Sequence, residues 1–192
     1  MHPPRRPGWW LALAVPPVLL LCLAPVVPAR AELPTPTWWI GLRLDMGVDV
    51  DGLDDVSSRE GGGALVGGVH LWRMGAVLGA VEGEGSASRL KQSIGDLDET
   101  VDIWRARAGV RLTWWEEDDA PLLVPYLRGG GMYRADRANL SNDAGFGWYV
   151  GGGLDLMLSE RWGLGVSVTY ERASLRDETK SLLLGIGLSY HY

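Results

Sequence analysis

Hydrophobic and polar residues alternate with a period of two along most of the chain. Between Trp38 and Val50, one set of alternate positions is apolar and the other holds mainly charged residues and glycines. The apolar set is Trp38, Ile40, Leu42, Leu44, Met46, Val48 and Val50, and the other set is Trp39, Gly41, Arg43, Asp45, Gly47 and Asp49. Because successive side chains of a β-strand point to opposite faces, this segment is predicted to be a strand with one apolar face.

Seven further segments alternate in the same way. They lie at about 63–73, 76–88, 101–115, 122–134, 146–158, 162–172 and 182–192. After Glu32 the chain has no run of 18 apolar residues, whereas a membrane-spanning helix needs about 20. The pattern therefore predicts an all-β fold of eight antiparallel strands.

The distribution of charge between the two faces indicates which kind of β fold this is. In the five clearest strands the apolar face contains no charged residue, although 22% of the chain is charged. A soluble barrel would turn its apolar face inward, and charges buried in a dry core are costly unless each is paired. An apolar exterior around a polar interior is typical of transmembrane β-barrels. The sequence thus predicts an eight-stranded antiparallel up-and-down transmembrane β-barrel.

The polar faces carry equal numbers of acidic and basic residues, which are predicted to line the lumen. Ten of them form the predicted lumen charge network: Arg43, Asp45, Glu82, Glu84, Arg105, Arg107, Arg111, Arg128, Asp155 and Glu171; Asp49 and Arg134 lie on the same faces. These charges could pair as a structural plug or form a gate for ions and small solutes. The lumen-facing glycines favour some open space: Gly41, Gly47, Gly109, Gly151, Gly153, Gly163, Gly165, Gly185 and Gly187. The plug is the favoured interpretation.

The connections between strands alternate in predicted length. Short links are predicted at 73–75, 116–121 and 159–161, and longer loops at 51–62, 89–100, 135–145 and 173–180. In outer-membrane barrels the short turns lie in the periplasm, so both termini are expected there. The acidic segments 49–55 and 96–99 lie in two of the predicted long loops. They are interpreted as solvated surface, because their spacing completes no calcium-binding loop. No metal or cofactor is expected.

Aromatic residues cluster at the predicted strand ends, where a membrane–water interface would place them. The periplasmic group is Trp38, Trp39, Trp72, Trp114, Trp115, Trp162, Tyr190 and Tyr192, and the group at the opposite end is Trp104, Tyr133, Trp148 and Tyr170. Two aromatic girdles are therefore expected, with Trp38, Trp72, Trp104, Trp114, Trp148, Trp162 and Tyr170 as their principal members.

The first 31 residues have the features of a cleaved export signal. Basic Arg5 and Arg6 precede an apolar stretch that ends at Ala29-Arg30-Ala31, a small-x-small cleavage site. Without this segment the chain has 15 basic and 24 acidic residues, a formal charge of −9, which makes nucleic acid a poor partner. Residues 1–31 are therefore predicted to be a cleaved signal peptide, and residues 32–192 the barrel. The only cysteine, Cys22, lies in the signal, so the barrel has no disulfide.

Three segments carry a resemblance: LRGGGMYRAD at 127–136, the glycine-rich passage at 151–162 and the final GLSYHY. They resemble parts of bacterial outer-membrane barrels, in particular the eight-stranded barrel domain of the outer membrane protein A family. The last six residues (GLSYHY) are similar to the C-terminal assembly signal of such barrels, a glycine followed by two alternating aromatics. Residues 127–136 (LRGGGMYRAD) resemble the fifth-strand region, and residues 151–162 resemble the passage from the sixth to the seventh strand.

The resemblance implies location in the outer membrane of a Gram-negative bacterium, in contact with lipid and lipopolysaccharide. It also implies insertion by the barrel-assembly machinery with periplasmic chaperones, with Gly187, Tyr190 and Tyr192 as the recognition element. Since the chain stops at Tyr192, no peptidoglycan-binding domain is expected.

The fold alone does not determine an activity. Lipid A-modifying barrels need a catalytic group at the outer leaflet, but the two histidines after the signal, His70 and His191, lie near predicted periplasmic strand ends. No catalytic residue is therefore assigned. A non-enzymatic role in envelope structure and surface contact is expected, with a narrow pore or small-molecule conduit as the first alternative and a lipid A-modifying enzyme as the second. The oligomeric state stays open.

Overall fold

The computed structural model describes residues 38–49, 58–94, 97–115, 123–138, 142–159, 161–176 and 178–192. These residues form eight strands. The strands are β1 (Trp38–Asp49), β2 (Ser58–Met74), β3 (Val77–Ile94), β4 (Leu97–Trp114), β5 (Leu123–Arg137), β6 (Asn142–Met157), β7 (Trp162–Ser174) and β8 (Glu178–His191). None of the described residues forms a helix that could cross a membrane. The predicted signal peptide and the acidic segment 50–55 lie outside the described residues.

The eight strands form a closed antiparallel barrel in which each strand pairs with its neighbours in sequence. The barrel closes between the first and last strands, where Trp39 lies opposite His191 and Asp45 opposite Gly185. At its edge, the backbone N–H groups of Trp38 and Tyr192 each donate to the other residue's carbonyl oxygen. The prediction of an all-β up-and-down barrel is confirmed. We call the end that contains these residues and the turn at 75–76 the turn end, and the opposite end the loop end.

The alternating pattern determines which side chains point inward. On β1, Ile40, Leu42 and Leu44 are exposed on the outer surface, whereas Arg43 and Asp45 are buried inside. The same alternation of exposed and buried side chains runs through most of β3, β4 and β7. The barrel therefore has an apolar outer surface and a polar interior.

The strands extend further toward the loop end than the sequence pattern predicts. β3 and β4 remain paired as far as Ile94 opposite Leu97, so residues 97–99 belong to a strand and not to a long acidic loop. The expected loops at 51–62, 89–100, 135–145 and 173–180 are each shortened by neighbouring strands. The predicted alternation of short and long connections is wrong: residues 95–96 separate β3 from β4 at the loop end, whereas residues 115–122 separate β4 from β5 at the turn end.

A β-bulge changes the direction of the β2 side chains near the turn end. His70 pairs with Ala80 but Trp72 pairs with Gly79, which leaves Leu71 as the extra residue. Strict alternation would turn Trp72 inward with His70. Past the bulge, Trp72 instead lies over Gly79 on the outer surface, where a β-carbon on that glycine would collide with the indole ring. The hairpin then turns at Gly75, whose φ of 58° favours glycine.

Candidate functional site

The centre of the lumen is organised around one carboxylate. Glu84 on β3 accepts hydrogen bonds from three arginines on three other strands: Arg43 at 2.8 Å, Arg128 at 2.7 Å, and Arg107. All four side chains are buried. Charge-assisted hydrogen bonds of this kind offset part of the cost of removing the charges from water.

Arg107 connects opposite walls of the barrel. Its guanidinium donates to Glu84 on β3 and to Glu171 on β7. Arg128 makes a similar crossing, since it also donates to Thr169 on β7 at 2.8 Å. Two arginines therefore bridge the lumen at its middle.

A second cluster lies toward the loop end. Arg105 forms a bidentate pair with Glu60, at 2.6 and 2.8 Å, and its Nε lies 2.9 Å from Glu171 Oε2. Arg134 forms a bidentate pair with Asp136 and donates to Ser181 on β8 at 3.1 Å. This cluster extends the interior contacts to the last strand.

Glu60 and Asp136 are absent from the predicted lumen charge network, because both lie in segments that the sequence pattern predicts to be loops. Each one continues the alternation of its strand on the inward side. Glu60 lies four residues from inward-facing Ala64 on β2, and Asp136 lies two residues from inward-facing Arg134 on β5. Continuing the alternation of β2 and β5 a few residues into the predicted loops identifies both side chains as inward-facing.

A third cluster lies near the turn end and is built on Arg111. This guanidinium donates to Asp155 and lies over two rings, 3.7 Å from the centre of Tyr126 and 4.7 Å from that of Trp39. Trp39 is 3% exposed, so its assignment to the periplasmic girdle is wrong. It faces inward because it lies four residues before inward-facing Arg43 on β1, and side chains an even number of residues apart on a strand share a face.

Long side chains occupy the space over several inward glycines. A β-carbon on Gly153 would lie 2.7 Å from the hydroxyl of Tyr126, and one on Gly185 would lie 2.6 Å from Cδ of Arg43. The hydroxyl of Tyr149 lies close over Gly109 and donates to Glu82 at 3.0 Å. These glycines therefore make room for interior side chains, contrary to the expectation that they leave open space.

The ten residues of the predicted lumen charge network are all buried on the inward face. The contacts join Arg43, Asp45, Glu82, Glu84, Arg105, Arg107, Arg128 and Glu171 through the middle of the lumen, and Arg111 with Asp155 near the turn end. With Glu60, Tyr149, Thr169 and Ser181, the interior contacts involve all eight strands. The arrangement can hold the walls together and fill the interior.

The histidines also face the interior at the turn end, where His70 and His191 are buried. Ser189 Oγ lies 3.0 Å from His191 Nε2 and 3.3 Å from the carbonyl oxygen of Gly163, to which it donates. Asp155, an acid of the same region, accepts from Arg111. Across the described ranges, no three His, Cys, Asp or Glu residues are grouped to hold a metal ion.

Outer aromatic side chains lie near both ends of the barrel. At the turn end, Trp162 packs against Tyr190 and Trp38 packs against Tyr192, with 5.2 Å and 5.3 Å between the ring centres. At the loop end, the ring centres of Trp148 and Tyr170 are 5.6 Å apart, and Tyr133 packs against Phe146, which is not a member of the predicted girdles. Trp72 and Trp114 lie on the outer face at the turn end, Trp104 at the loop end, and Gly187 on the inner face of β8.

The two aromatic groups are separated by the height of a membrane. Trp104 and Trp114 are ten residues apart on β4. At about 3.3 Å per residue and a strand tilt of about 40°, they are about 25 Å apart along the barrel axis. This matches the apolar band of outer-membrane barrels.

Charged side chains begin directly beyond the loop-end aromatics. Arg89 donates to Asp102 at 2.8 Å, and this contact raises the pKa of the arginine. Arg172 and Lys180 lie opposite each other and both contact Glu178, at 2.5 and 3.3 Å. The hydrogen bonds from Arg172 and Lys180 lower the pKa of Glu178.

The model of a family described as outer membrane protein beta-barrel domain matches residues 17–192. No curated protein matches the sequence. Among solved structures, Neisserial surface protein A is similar at 14% identity, with a TM-score of 0.56, over 81% of this chain and 96% of that one. The attachment invasion locus protein of Yersinia pestis, solved with the heparin analogue sucrose octasulfate, is similar at 14% identity with a TM-score of 0.52, over 81% and 97%. At these identities the structural similarity shows the fold.

Proposed function

Because the chain belongs to the outer membrane protein beta-barrel domain family, we propose that it is a non-enzymatic scaffold of the bacterial outer membrane with a closed lumen. In this role the barrel holds the loop-end strand extensions and connections at the cell surface, where they make contacts. The observation that carries the proposal is Arg107, which joins Glu84 and Glu171 on opposite walls at mid-lumen. A solute would have to displace this bridge to pass.

The loop end supports the surface-contact part of the proposal. Trp104 on β4 lies opposite Ala87 on β3, and beyond this pair each of the two strands continues for seven further residues before residues 95–96. Paired strands present a more rigid surface than a loop of equal length, because their backbone hydrogen bonds are already formed. A partner would therefore bind this hairpin without the cost of ordering it.

The Ser189–His191 contact does not favour catalysis on lipid A. In the proposed orientation the turn end faces the periplasm, so this pair lies in the leaflet opposite to the lipid A head group. Both side chains also face the interior, where His191 is buried, and this keeps them from a lipid substrate. We assign it to packing at the turn-end mouth of the barrel.

The proposal includes export and assembly steps. The signal of residues 1–31 is removed, and the C-terminal strand with Gly187, Tyr190 and Tyr192 is recognised by the barrel-assembly machinery. In the folded barrel Tyr190 packs between Trp38 and Trp162, so the same side chain serves recognition first and packing afterwards.

Shortening the β3–β4 hairpin tests the surface-contact role. Removing residues 93–94 and 97–98 takes away two whole cross-strand pairs, keeps residues 95–96 as the connection and leaves Gln92 opposite Glu99. Cells that produce this variant should lose adherence to the surfaces or cells that the wild type binds, while the barrel keeps its heat-modifiable gel shift. Unchanged adherence with a folded barrel would exclude the hairpin as the contact surface.

A further inference from the structure

Three basic side chains form a cluster on the outer surface of β2 and β3 at the loop end. Arg59 on β2 lies directly opposite Lys91 on β3. Two residues closer to the membrane along β3, Arg89 lies opposite Gly61. All three side chains are exposed. The described outward positions of these two strands contain no acidic residue, although the whole chain has a net charge of −6. We call Arg59, Arg89 and Lys91 the basic cluster.

The basic cluster is incompletely neutralised by the protein. Asp102 pairs with Arg89, but in the part of the chain that the structure describes neither Arg59 nor Lys91 has an ion-pair partner. Like charges directly opposite each other on paired strands are destabilising. The opposite pair Arg172 and Lys180 shows the usual solution, because Glu178 contacts both. An external anion would neutralise Arg59 and Lys91 in the way that Glu178 neutralises Arg172 and Lys180.

The height of the basic cluster indicates where this anion comes from. Ala87, the next outward residue of β3 below Arg89, pairs with Trp104 of the loop-end aromatic group. The cluster thus begins one outward pair beyond an interfacial aromatic, on the membrane-facing side of the barrel. At this level the nearest anions are the phosphates of outer-leaflet lipids.

The surface below the basic cluster is shallow and apolar. Gly61, Gly63, Gly83 and Gly85 face outward on β2 and β3, and β-carbons on Gly61 and Gly85 would meet no atom within 4 Å. Larger side chains border this depression, including Leu42, Leu65 and Trp104, each more than half exposed. An acyl chain fits this surface, whereas a soluble phosphate compound would leave it uncovered.

We propose that the outer face of β2 and β3 binds a phosphorylated outer-leaflet lipid, the lipid A part of lipopolysaccharide. The phosphate is bound by the basic cluster, and an acyl chain lies on the glycine surface below it. The assignment does not depend on whether the lumen is closed, because the site is on the opposite side of the barrel wall.

The test compares two variants with the same loss of charge. The full mature protein is reconstituted in nanodiscs of zwitterionic phospholipid with bis-phosphorylated lipid A, or with the same lipid after phosphatase treatment, and bound lipid is counted by native mass spectrometry. Arg59→Gln with Lys91→Gln should weaken binding of the phosphorylated lipid by about tenfold or more, since each basic residue near an anionic lipid contributes about 1 kcal/mol. Arg172→Gln with Lys180→Gln should change it by less than about twofold, because Glu178 already neutralises that pair.

Equal losses in the two variants, or equal binding of the phosphatase-treated lipid, would overturn the proposal. Gly85→Leu should fold normally, because its side chain meets open space, and should weaken lipid binding several-fold; unchanged binding would exclude the glycine surface as the acyl site. A Gly85→Cys variant that cross-links to a second copy in cell membranes would assign this face to self-association instead. The heat-modifiable gel shift verifies folding in every variant.

Discussion

Each buried arginine of the lumen has a specific set of partners. Arg107 is the clearest case: its side chain is 1% exposed, and its two partners, Glu84 and Glu171, are equally buried. Removing one member of such a group leaves the others as uncompensated charges in a low-dielectric interior. The contribution of Arg107 is therefore measured by the cost that its absence imposes on the two carboxylates.

Arg107→Ala should lower the free energy of unfolding by about 3–5 kcal/mol, the usual cost of breaking a buried ion pair. Arg172→Ala removes the same kind of side chain from the exposed pair with Glu178 and should have a much smaller effect. Urea titration in lipid vesicles, followed by tryptophan fluorescence, measures both variants. Similar losses would contradict the account of a buried, mutually dependent network.

The pKa of Glu178 should lie below that of an ordinary exposed glutamate, because Arg172 and Lys180 stabilise its charged form. A lowered pKa in the folded state means that the stabilisation is present at neutral pH and is lost as the pH falls through that value. A carboxyl NMR titration in nanodiscs measures it, and Arg172→Ala should move the pKa back toward the ordinary value. An unchanged pKa in that variant would show that the contact with Arg172 does not form.

At the scale of the strand, alternation predicted the membrane-spanning parts of the barrel and was less informative beyond them. Within the membrane one face meets lipid and the other the lumen, so the pattern is strict from Ile40 to Asp45. Beyond the aromatic groups both faces are in water, and the selection for an apolar face ends. The sequence pattern therefore predicts loops where the structure has the loop-end extensions of β3 and β4.

The sequence predicts which charged residues line the lumen, but it does not predict which of them pair with each other. The sequence indicates six inward arginines and an equal number of inward acidic residues. The ion pair between Arg105 on β4 and Glu60 on β2, however, depends on the stagger of the strands and on the length of the side chains. The bulge at Leu71 similarly depends on pairing with β3. Neither has a local sequence pattern.

Glycines on the two faces of a strand should respond differently to substitution. Gly153→Ala brings a β-carbon against the Tyr126 hydroxyl and the neighbouring backbone, so it should destabilise the barrel by about 1–3 kcal/mol, the range for overpacking. Gly85→Ala meets no atom within 4 Å and should change stability by less than about 0.5 kcal/mol. Equal sensitivity of the two sites in the same urea titration would contradict the close packing of the Val166 carbonyl and the Tyr126 ring around Gly153.

The whole molecule has a defined orientation in the proposed scaffold. An epitope inserted between residues 95 and 96 should be detected by antibody on intact cells, because that connection lies at the loop end. The same epitope inserted between Gly75 and Ala76 should be detected only after the outer membrane is permeabilised. The reverse result would invert the barrel and place the basic cluster in the periplasmic leaflet.

The proposed closure of the lumen rests on ion pairs and hydrogen bonds that together involve all eight strands, and single-channel recording in a planar bilayer tests this closure most directly. The refolded mature protein, shown to be folded by its gel shift, should give no stable openings at moderate voltage, with a known porin as the positive control. Reproducible openings whose conductance changes in Arg107→Ala or Arg105→Ala would contradict the closed lumen and establish these arginines as a gate.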